Sequence, residues 1–336
     1  MRYNRLGSSG LKVSEVCLGT MTFGYSTEQD EATCIVHAAL DAGVNFFDTS
    51  NNYGNRQSES ILAEAIGDLR DEVVIATKFF NPFGTGPNDS GTSRVALFNA
   101  LEASLRDLNT DYIDIYYIHH LDIQTPMSET LEALNDAVRQ GKVRYIACSN
   151  HPAWRLCDAL WISELHDYSR FICYQPQYSL VVRDIEQELV PLCRAKGLGI
   201  VPWGPMAGGF LTGKYKPGER ELSGTRSADN WVWQDESFAD NADETLGVLL
   251  EVAKELGRSP AQVALRWVMD RPGVSAAIAG ARTVDQFQDS VGAADWSLPQ
   301  EANERLTEVS QLPDRYPRSF EKNMHERRNN AIEPGH

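Results

Sequence analysis

Short apolar segments alternate along this chain with longer segments in which apolar residues recur every three or four positions. The short segments are rich in Val, Ile, Phe and Tyr, which is typical of parallel strands buried on both faces. They predict eight strands, at residues 15–19, 46–48, 73–78, 113–119, 145–149, 172–175, 200–203 and 276–279.

The longer segments predict amphipathic helices between these strands. Local start signals agree with this interpretation. Pro260 suits a first helical turn, and Thr283 precedes Gln286 at the spacing of a capping box. The predicted helices span residues 31–42, 58–69, 94–108, 128–140, 154–166, 185–196, 243–256, 259–269 and 284–291.

Strands that alternate with helices imply a parallel sheet with right-handed crossovers. An open doubly wound sheet is the competing architecture, but G-x-G-x-x-G does not follow the first strand. We therefore predict an α/β fold, a single (β/α)8 TIM barrel domain over residues 1–336. Within it, residues 1–13 predict an N-terminal β-hairpin, residues 208–241 a long lid loop after strand seven, and residues 313–336 a partly ordered tail.

Charge and cysteine content narrow the classes of function. The formal net charge of -16 argues against nucleic-acid or anionic-membrane partners, and it means that an anionic cofactor needs a local group of basic side chains. The six cysteines include no C-x-x-C pair, which favours a reducing compartment. With no apolar leader at the N-terminus and no apolar run near 18 residues, we expect a cytoplasmic protein.

Reactive side chains collect at the carboxyl ends of the predicted strands, where βα barrels place their active sites. Asp48, Lys78 and His119 end strands two, three and four, and Tyr53 follows in the loop after Asp48. Further polar residues end the next two strands, namely Ser149, Asn150 and Gln175.

A proton-donating group is the interpretation that accounts for four of these residues together, namely Asp48, Tyr53, Lys78 and His119. Each one alone is more often structural, as an ion pair, a rim tyrosine or a core histidine. A free tyrosine has a pKa near 10, and an adjacent Lys78 ammonium is expected to lower it. Asp48 is expected to hold that ammonium, and a neutral His119 to orient a carbonyl group.

A metal site at His119 and His120 is not expected. Neighbouring residues of a strand point to opposite faces, and H-E-x-x-H is absent from the chain. We therefore predict no metal.

Five segments carry a resemblance to the aldo-keto reductase superfamily over roughly residues 1–310. Residues 43–54 read GVNFFDTSNNYG, similar to the family's G-x-x-x-x-D-T-A-x-x-Y-G, and residues 75–78 read IATK, with the family's lysine on strand three. Residues 111–119 read DYIDIYYIH, residues 148–150 read CSN, and residues 203–215 read WGPMAGGFLTGKY; each resembles the corresponding family segment.

The resemblance implies NADP(H)-dependent reduction of aldehydes or ketones. The nicotinamide gives a hydride to the carbonyl carbon, and Tyr53 protonates the oxygen. Lys78 and Asp48 tune Tyr53, His119 orients the carbonyl group, and His120 lines the substrate pocket.

The resemblance also implies the cofactor contacts. Ser149, Asn150 and Gln175 grip the carboxamide, and Trp203 stacks on the nicotinamide. The loop from Gly204 wraps the pyrophosphate, and basic residues of two later segments neutralise phosphate charge. The implied set is Gly19, Thr20, Met21, Asp48, Ser149, Asn150, Gln175, Trp203, Gly204, Pro205, Met206, Ala207, Gly208, Lys214, Tyr215, Arg226, Gly280, Arg282, Gln286, Asp289 and Ser290.

The chain departs from the family pattern at some of these positions. Asp289 and Ser290 stand where Glu and Asn are usual, at the adenine end of the site. Position 280 is Gly and not Lys, so the expected preference for NADPH over NADH depends on Arg282.

The substrate pocket is expected to be aromatic and to accept a broad range of carbonyl compounds. Core or lid packing is the alternative role for each ring. The candidate pocket residues are Phe23, Tyr25, Phe79, Phe80, His120, Trp231 and Trp233.

Two other functions stay open. The superfamily includes potassium channel β subunits, which bind NADPH and act mainly as partners. A Schiff-base aldolase that uses Lys78 as its nucleophile is less consistent with Tyr53 and the nicotinamide-binding residues. The expected partner is a small carbonyl substrate, and the chain is expected to act as a monomer or a homo-oligomer.

Overall fold

The computed structural model describes residues 1–218, 238–321 and 324. A two-stranded antiparallel hairpin, β1 (Tyr3–Arg5) and β2 (Lys12–Ser14), opens the chain. Eight parallel strands follow: β3 (Val16–Gly19), β4 (Phe46–Asp48), β5 (Val74–Phe79), β6 (Ile113–Ile118), β7 (Val143–Ser149), β8 (Phe171–Gln175), β9 (Gly199–Ile200) and β10 (Ala277–Gly280).

The sheet follows chain order from β3 to β9, and β10 lies beside β3. Backbone hydrogen bonds close the remaining gap: Ser275 N–H donates to Ile200 O at 2.9 Å, and Ile278 N–H donates to Pro202 O at 2.9 Å. The predicted (β/α)8 TIM barrel with its N-terminal hairpin is confirmed.

Ten helices of the described residues pack outside the strands. Ser93, Ser259 and Thr283 cap three of them, each accepting a backbone N–H of the first turn through its side-chain oxygen. The helices are α1 (Gln29–Asp41), α2 (Ser58–Ile66), α3 (Arg94–Asp107), α4 (Met127–Arg139), α5 (Ala153–His166), α6 (Leu189–Lys196), α7 (Ala242–Leu256), α8 (Pro260–Met269), α9 (Val284–Val291) and α10 (Gln300–Val309).

Two apolar cores result from the alternation of side chains along the strands. The larger core lies between the strands and the helices. The smaller one fills the barrel, and Leu6 and Val13 of the hairpin belong to it. Ser8 N–H donates to Gly197 O, just before β9 begins, so the hairpin closes the amino end of the barrel. A functional site is therefore expected at the carboxyl end of the barrel.

The structure differs from the sequence prediction in several element bounds. β9 ends at Ile200 and not at residue 203, since Pro202 has no N–H to continue the ladder. The helix predicted from residue 185 is a 3₁₀ turn, Asp184–Glu186, followed by α6. Helix α10 was not among the predicted elements. Of the predicted lid and tail, residues 219–237, 322–323 and 325–336 lie outside the described residues.

No helix of the described ranges is long and apolar enough to cross a membrane.

A buried carboxyl group lies between α2 and the barrel. Glu59 is buried, and its Oε1 accepts a hydrogen bond from Thr77 Oγ1 at 2.6 Å. Burial raises the pKa of Glu59 to about 7, although the bond from Thr77 opposes the shift. Thr77 precedes Lys78 on β5, so the Glu59 carboxyl is hydrogen-bonded to the strand that carries Lys78.

Glu59 therefore makes the stability of the fold pH-dependent. Because its folded pKa of about 7 exceeds its ordinary value of 4.5, the native state keeps a proton that the unfolded state loses, and stability falls as pH rises between these values. At about 1.4 kcal/mol per pKa unit the loss is on the order of 3 kcal/mol. We expect Glu59→Gln to remove this loss. Measured by urea unfolding, the free energy of unfolding of the variant should therefore increase relative to that of the wild type between pH 5 and pH 8.

Glu64→Gln, an exposed position on the same helix, is the matched control. Parallel pH profiles for the wild type and Glu59→Gln would contradict the assignment.

Candidate active site

Lys78 is the centre of a buried polar cluster at the carboxyl ends of β4 and β5. Its side chain is fully buried, and its Nζ donates to Asp48 Oδ1 at 2.5 Å, to the backbone oxygen of Thr49 at 2.8 Å and to Tyr53 Oη at 3.3 Å. An ammonium group has three N–H donors, so all of them are used. The strand ends and the loop after β4 therefore bring Asp48, Tyr53 and Lys78 together.

The second oxygen of Asp48 is also bound. Gln175, the last residue of β8, donates its Nε2 to Asp48 Oδ2 at 2.8 Å across the barrel. Thr20 secures the backbone of the same residue, since its N–H and its Oγ1 both lie within hydrogen-bonding distance of Asp48 O. Asp48 is thus fixed by residues of β5 and β8 and by the residue that follows β3.

Burial and the ion pair set the protonation states of this cluster. Burial lowers the pKa of Lys78, but the Asp48 carboxylate and Tyr53 together raise it above its ordinary value. Burial raises the pKa of Tyr53, and Lys78 brings it only part of the way back. The expectation of a lowered tyrosine pKa was therefore wrong in its net direction. Tyr53 stays protonated at neutral pH and is available as a proton donor.

His119 follows β6 and faces this cluster. Its ring meets the ring of Tyr53 edge-on, with centroids 5.9 Å apart. Its Nδ1 lies 3.1 Å from Asn81 Nδ2 and 3.3 Å from Ser50 Oγ. Burial, then the charges of Lys78 and His120, lower the pKa of His119 to about 2. The imidazole is therefore neutral across the working pH range.

His119 and His120 do not point to opposite faces, so that expectation was wrong. Their rings stack with centroids 4.4 Å apart and planes 11° from parallel. Strand β6 ends at Ile118, so the alternation of a strand does not extend to these residues. Within the described ranges no group of three or more His, Cys, Asp or Glu side chains could hold a metal ion.

The residues predicted to grip a carboxamide meet beside His119. Ser149 Oγ donates to Gln175 O at 2.7 Å, and Asn150 Nδ2 donates to His119 O at 3.0 Å. Trp203 Nε1 donates to Asn150 Oδ1 at 3.1 Å. Ser149 and Asn150 keep further lone pairs or amide protons for a ligand, whereas the single N–H of Trp203 is already used. The carboxyl ends of β7 and β8 and the Trp203 indole thus form one edge of the site beside His119.

A loop of unusual backbone geometry continues this edge. Ala207–Thr212 forms a 3₁₀ segment in which Gly208 and Gly209 have positive φ angles. A Cβ built at Gly204 or Gly209 would meet nothing within 4 Å. Open space beside such a backbone suits close approach by a phosphate group. Around it, Pro205 and Tyr215 are buried, Met206 is half-buried and Lys214 is exposed.

The residues near β10 and α9 that were predicted to contact the cofactor lie in different surroundings. The Arg282 N–H donates to Gln286 Oε1 at 3.0 Å, and Gly280 is exposed. Asp289 accepts from Ser259 Oγ and Gln262 Nε2, which ties it to α8. Ser290 is buried and donates to the backbone of its own helix, so its burial does not support a cofactor contact. Arg226 lies outside the described residues.

The predicted pocket residues lie in different environments. Phe23 and Phe79 are fully buried in the larger core, where Phe79 stacks on Tyr116, so their burial does not support a pocket role. Tyr25 is 69% exposed at the rim. The remaining three aromatic candidates divide as well: Phe80 packs edge-on against His120, whereas Trp231 and Trp233 lie outside the described residues.

Two site residues were missed from the sequence. Ser50 and Asn81 flank Nδ1 of His119, as given above, yet neither ends a strand. Gln175 was identified only as a carboxamide contact, and its bond to Asp48 was not foreseen.

Met21 and Gly19, two of the predicted cofactor contacts, lie beside Thr20 at the end of β3, where Met21 is half-buried and Gly19 is buried.

Residues 15–311 match the sequence profile of the Aldo/keto reductase family. The chain is 39% identical over 326 residues to the Bacillus subtilis protein named Uncharacterized oxidoreductase YrpG, covering 92% of this chain and 96% of that protein. It is 37% identical over 301 residues to an Oryza sativa protein named Probable voltage-gated potassium channel subunit beta, with 88% and 92% covered. It is 33% identical over 335 residues to Versiconal hemiacetal acetate reductase of Aspergillus parasiticus, with 92% and 96% covered.

Proposed function

The chain belongs to the aldo/keto reductase family of oxidoreductases, and on that premise we propose that it reduces aldehydes or ketones to alcohols with NADP(H), using Tyr53 as the proton donor. The observation that carries the proposal is the position of Lys78. Its ammonium joins the hydroxyl of Tyr53 to the carboxylate of Asp48 inside a buried cluster.

Each residue of the cluster has a chemical task in this reaction. Tyr53 gives its hydroxyl proton to the carbonyl oxygen, and the phenolate that remains lies beside the ammonium of Lys78. Asp48 holds that ammonium in place. A neutral His119 donates a hydrogen bond to the same carbonyl oxygen and fixes its direction. The nicotinamide, when bound, supplies the hydride that the carbonyl carbon accepts.

The residues at this edge of the site fit such a cofactor. Asn150 and Gln175 offer amide groups for a carboxamide, and the Trp203 indole offers a face for a flat ring. The open backbone at Gly204 and Gly209 fits a pyrophosphate. In a chain of net charge -16 such backbone donors supplement the basic side chains of the site.

The preference for NADPH is assigned to Arg282. Among the described residues its guanidinium makes no ion pair, so it is available for the extra phosphate of NADPH. We expect Arg282→Ala to raise the Kd for NADPH by about tenfold, the effect of a charge-assisted hydrogen bond, with little change for NADH. Fluorescence titration with both cofactors measures this. Arg106→Ala, an exposed position with the same charge change, is the control. Equal weakening of both cofactors would contradict the assignment.

The proposal as a whole is tested by cofactor oxidation. The purified protein is mixed with NADPH or NADH and a panel of aromatic aldehydes, dicarbonyls, sugars and ketosteroids. Turnover with NADPH on part of the panel supports a carbonyl reductase and ranks its substrates. Tight cofactor binding without turnover on any carbonyl would overturn it.

That second outcome would favour a cofactor-binding regulatory subunit. The similarity to the potassium channel β subunit of rice is the observation behind this alternative. A Schiff-base aldolase is disfavoured, since a Lys78 nucleophile needs a lowered pKa and the Asp48 ion pair raises it.

The cysteines fit the proposed cytoplasmic location. All six are free thiols, which is usual for a reducing compartment. Within it we propose a small carbonyl substrate as the partner, with the protein acting as a monomer or a homo-oligomer.

A further inference from the structure

Two side chains with opposite preferences face Nδ1 of His119. Asn81 Nδ2 lies 3.1 Å from this nitrogen, and Ser50 Oγ lies 3.3 Å from it. An amide nitrogen only donates hydrogen bonds, so Asn81 requires Nδ1 to be an acceptor. The partner of Asn81 is therefore the tautomer that carries its proton on Nε2.

Ser50 favours the other tautomer. A hydroxyl group has one proton, and the shortest bond of Ser50 Oγ is to Asn52 Oδ1, at 2.7 Å. With its proton given to Asn52, the Ser50 oxygen turns lone pairs towards His119. Those lone pairs would attract a proton on Nδ1.

The backbone of the β5–α3 loop is shaped to bring Asn81 to the ring. Phe80 has a φ of 134°, a value that side-chain-bearing residues rarely adopt. Its carbonyl oxygen is held by Gly91 N–H at 2.8 Å across the loop. Such strain persists only where the surrounding structure enforces it, and it is concentrated at functional sites.

The other ring nitrogen is directed to the site. Nε2 makes no hydrogen bond with any residue of the described ranges, and His119 keeps 8% exposure. A neutral imidazole has a single N–H, so the choice at Nδ1 decides whether Nε2 donates or accepts. A carbonyl oxygen needs a donor there.

We propose that Asn81 is a positioning residue that keeps the proton of His119 on Nε2, against the competing Ser50, so that His119 can donate to the substrate carbonyl. The part of this statement that concerns substrate rests on the proposed function. The tautomer itself does not, and it can be measured without turnover.

Removal of Asn81 should reverse the tautomer. In Asn81→Ala only Ser50 faces Nδ1, so the proton moves to Nδ1 and the Nε2 lone pair faces the carbonyl oxygen. We expect kcat/KM to fall about tenfold, as for a lost hydrogen bond, with an unchanged Kd for NADPH. In the double variant Asn81→Ala/Ser50→Ala the competing acceptor is gone, and part of the loss should be recovered.

The experiment is nitrogen NMR of the full-length protein labelled with ¹⁵N-histidine, with His119→Gln used to assign the signals of His119. Protonated and unprotonated ring nitrogens have well-separated shifts, so each variant reports its tautomer directly. The proposal expects Nε2–H in the wild type, Nδ1–H in Asn81→Ala, and a return towards Nε2–H in the double variant. Asn88→Ala, an exposed position in the same loop, should match the wild type.

Nδ1–H in the wild type, or an unchanged tautomer in Asn81→Ala, would overturn the proposal. The expected tautomer shift in a protein that reduces no carbonyl would instead overturn the proposed function and leave the role of Asn81 in place. The two failures are thus distinguishable.

Discussion

Tyr53→Phe is expected to lower turnover by a factor on the order of 10² or more, which is the contribution of a general acid. The variant keeps the aromatic ring, and with it the edge contact to His119. It loses the hydroxyl, which among the described residues is the only proton donor hydrogen-bonded to Lys78. Cofactor binding should be nearly intact, since the predicted cofactor contacts lie on other residues.

Steady-state NADPH oxidation and fluorescence titration measure these two quantities separately. Tyr168→Phe, which removes a hydroxyl from a half-buried tyrosine after α5, is the control for the chemical change. The raised pKa of Tyr53 adds a second expectation: reduction should persist through neutral pH and fail only on the alkaline side. Unchanged turnover in Tyr53→Phe would exclude it as the proton donor.

The positions of the strand-end residues could be predicted from the sequence because they follow from periodicity. Strand β4 ends at Asp48 and β5 ends one residue after Lys78, so both polar groups lie at the carboxyl end of a closed barrel. The number of strands and their order then place both residues on neighbouring strands. No knowledge of the loops is needed for that step.

The contacts of Asn81 could not be predicted in this way. It lies in a loop between β5 and α3, where no repeat of apolar positions sets the direction of a side chain. Its approach to His119 depends on the positive φ of Phe80, a local backbone choice that the residue type disfavours. Phe23 and Phe79 illustrate a related limit, since an aromatic residue near a strand end suits a pocket and a core equally well.

The pKa of Tyr53 depends on two opposing effects, burial and the charge of Lys78, and the sequence indicates only the second. The sequence indicated the neighbouring charge of Lys78, which lowers a tyrosine pKa. It did not indicate how deeply the hydroxyl is buried, and burial is the larger effect here.

Lys78→Met is expected to cost both stability and turnover. The change shortens the side chain by one atom and removes its charge, so the buried Asp48 carboxylate loses its ion-pair partner and, among the described residues, keeps only the hydrogen bond from Gln175. Breaking a buried ion pair from one side typically costs about 3–5 kcal/mol. Tyr53 also loses the ammonium that stabilises its phenolate, so turnover should fall with stability.

A double variant separates the two effects. In Lys78→Met/Asp48→Asn no unpaired charge is buried, so urea unfolding should show stability recovered towards the wild type. Turnover should stay as low as in the single variant, because neither charge is available to tune Tyr53. If the double variant is no more stable than Lys78→Met, the cost comes from lost packing and not from the buried, unpaired charge of Asp48. If it regains turnover, Lys78 and Asp48 hold the fold together and Tyr53 works without them.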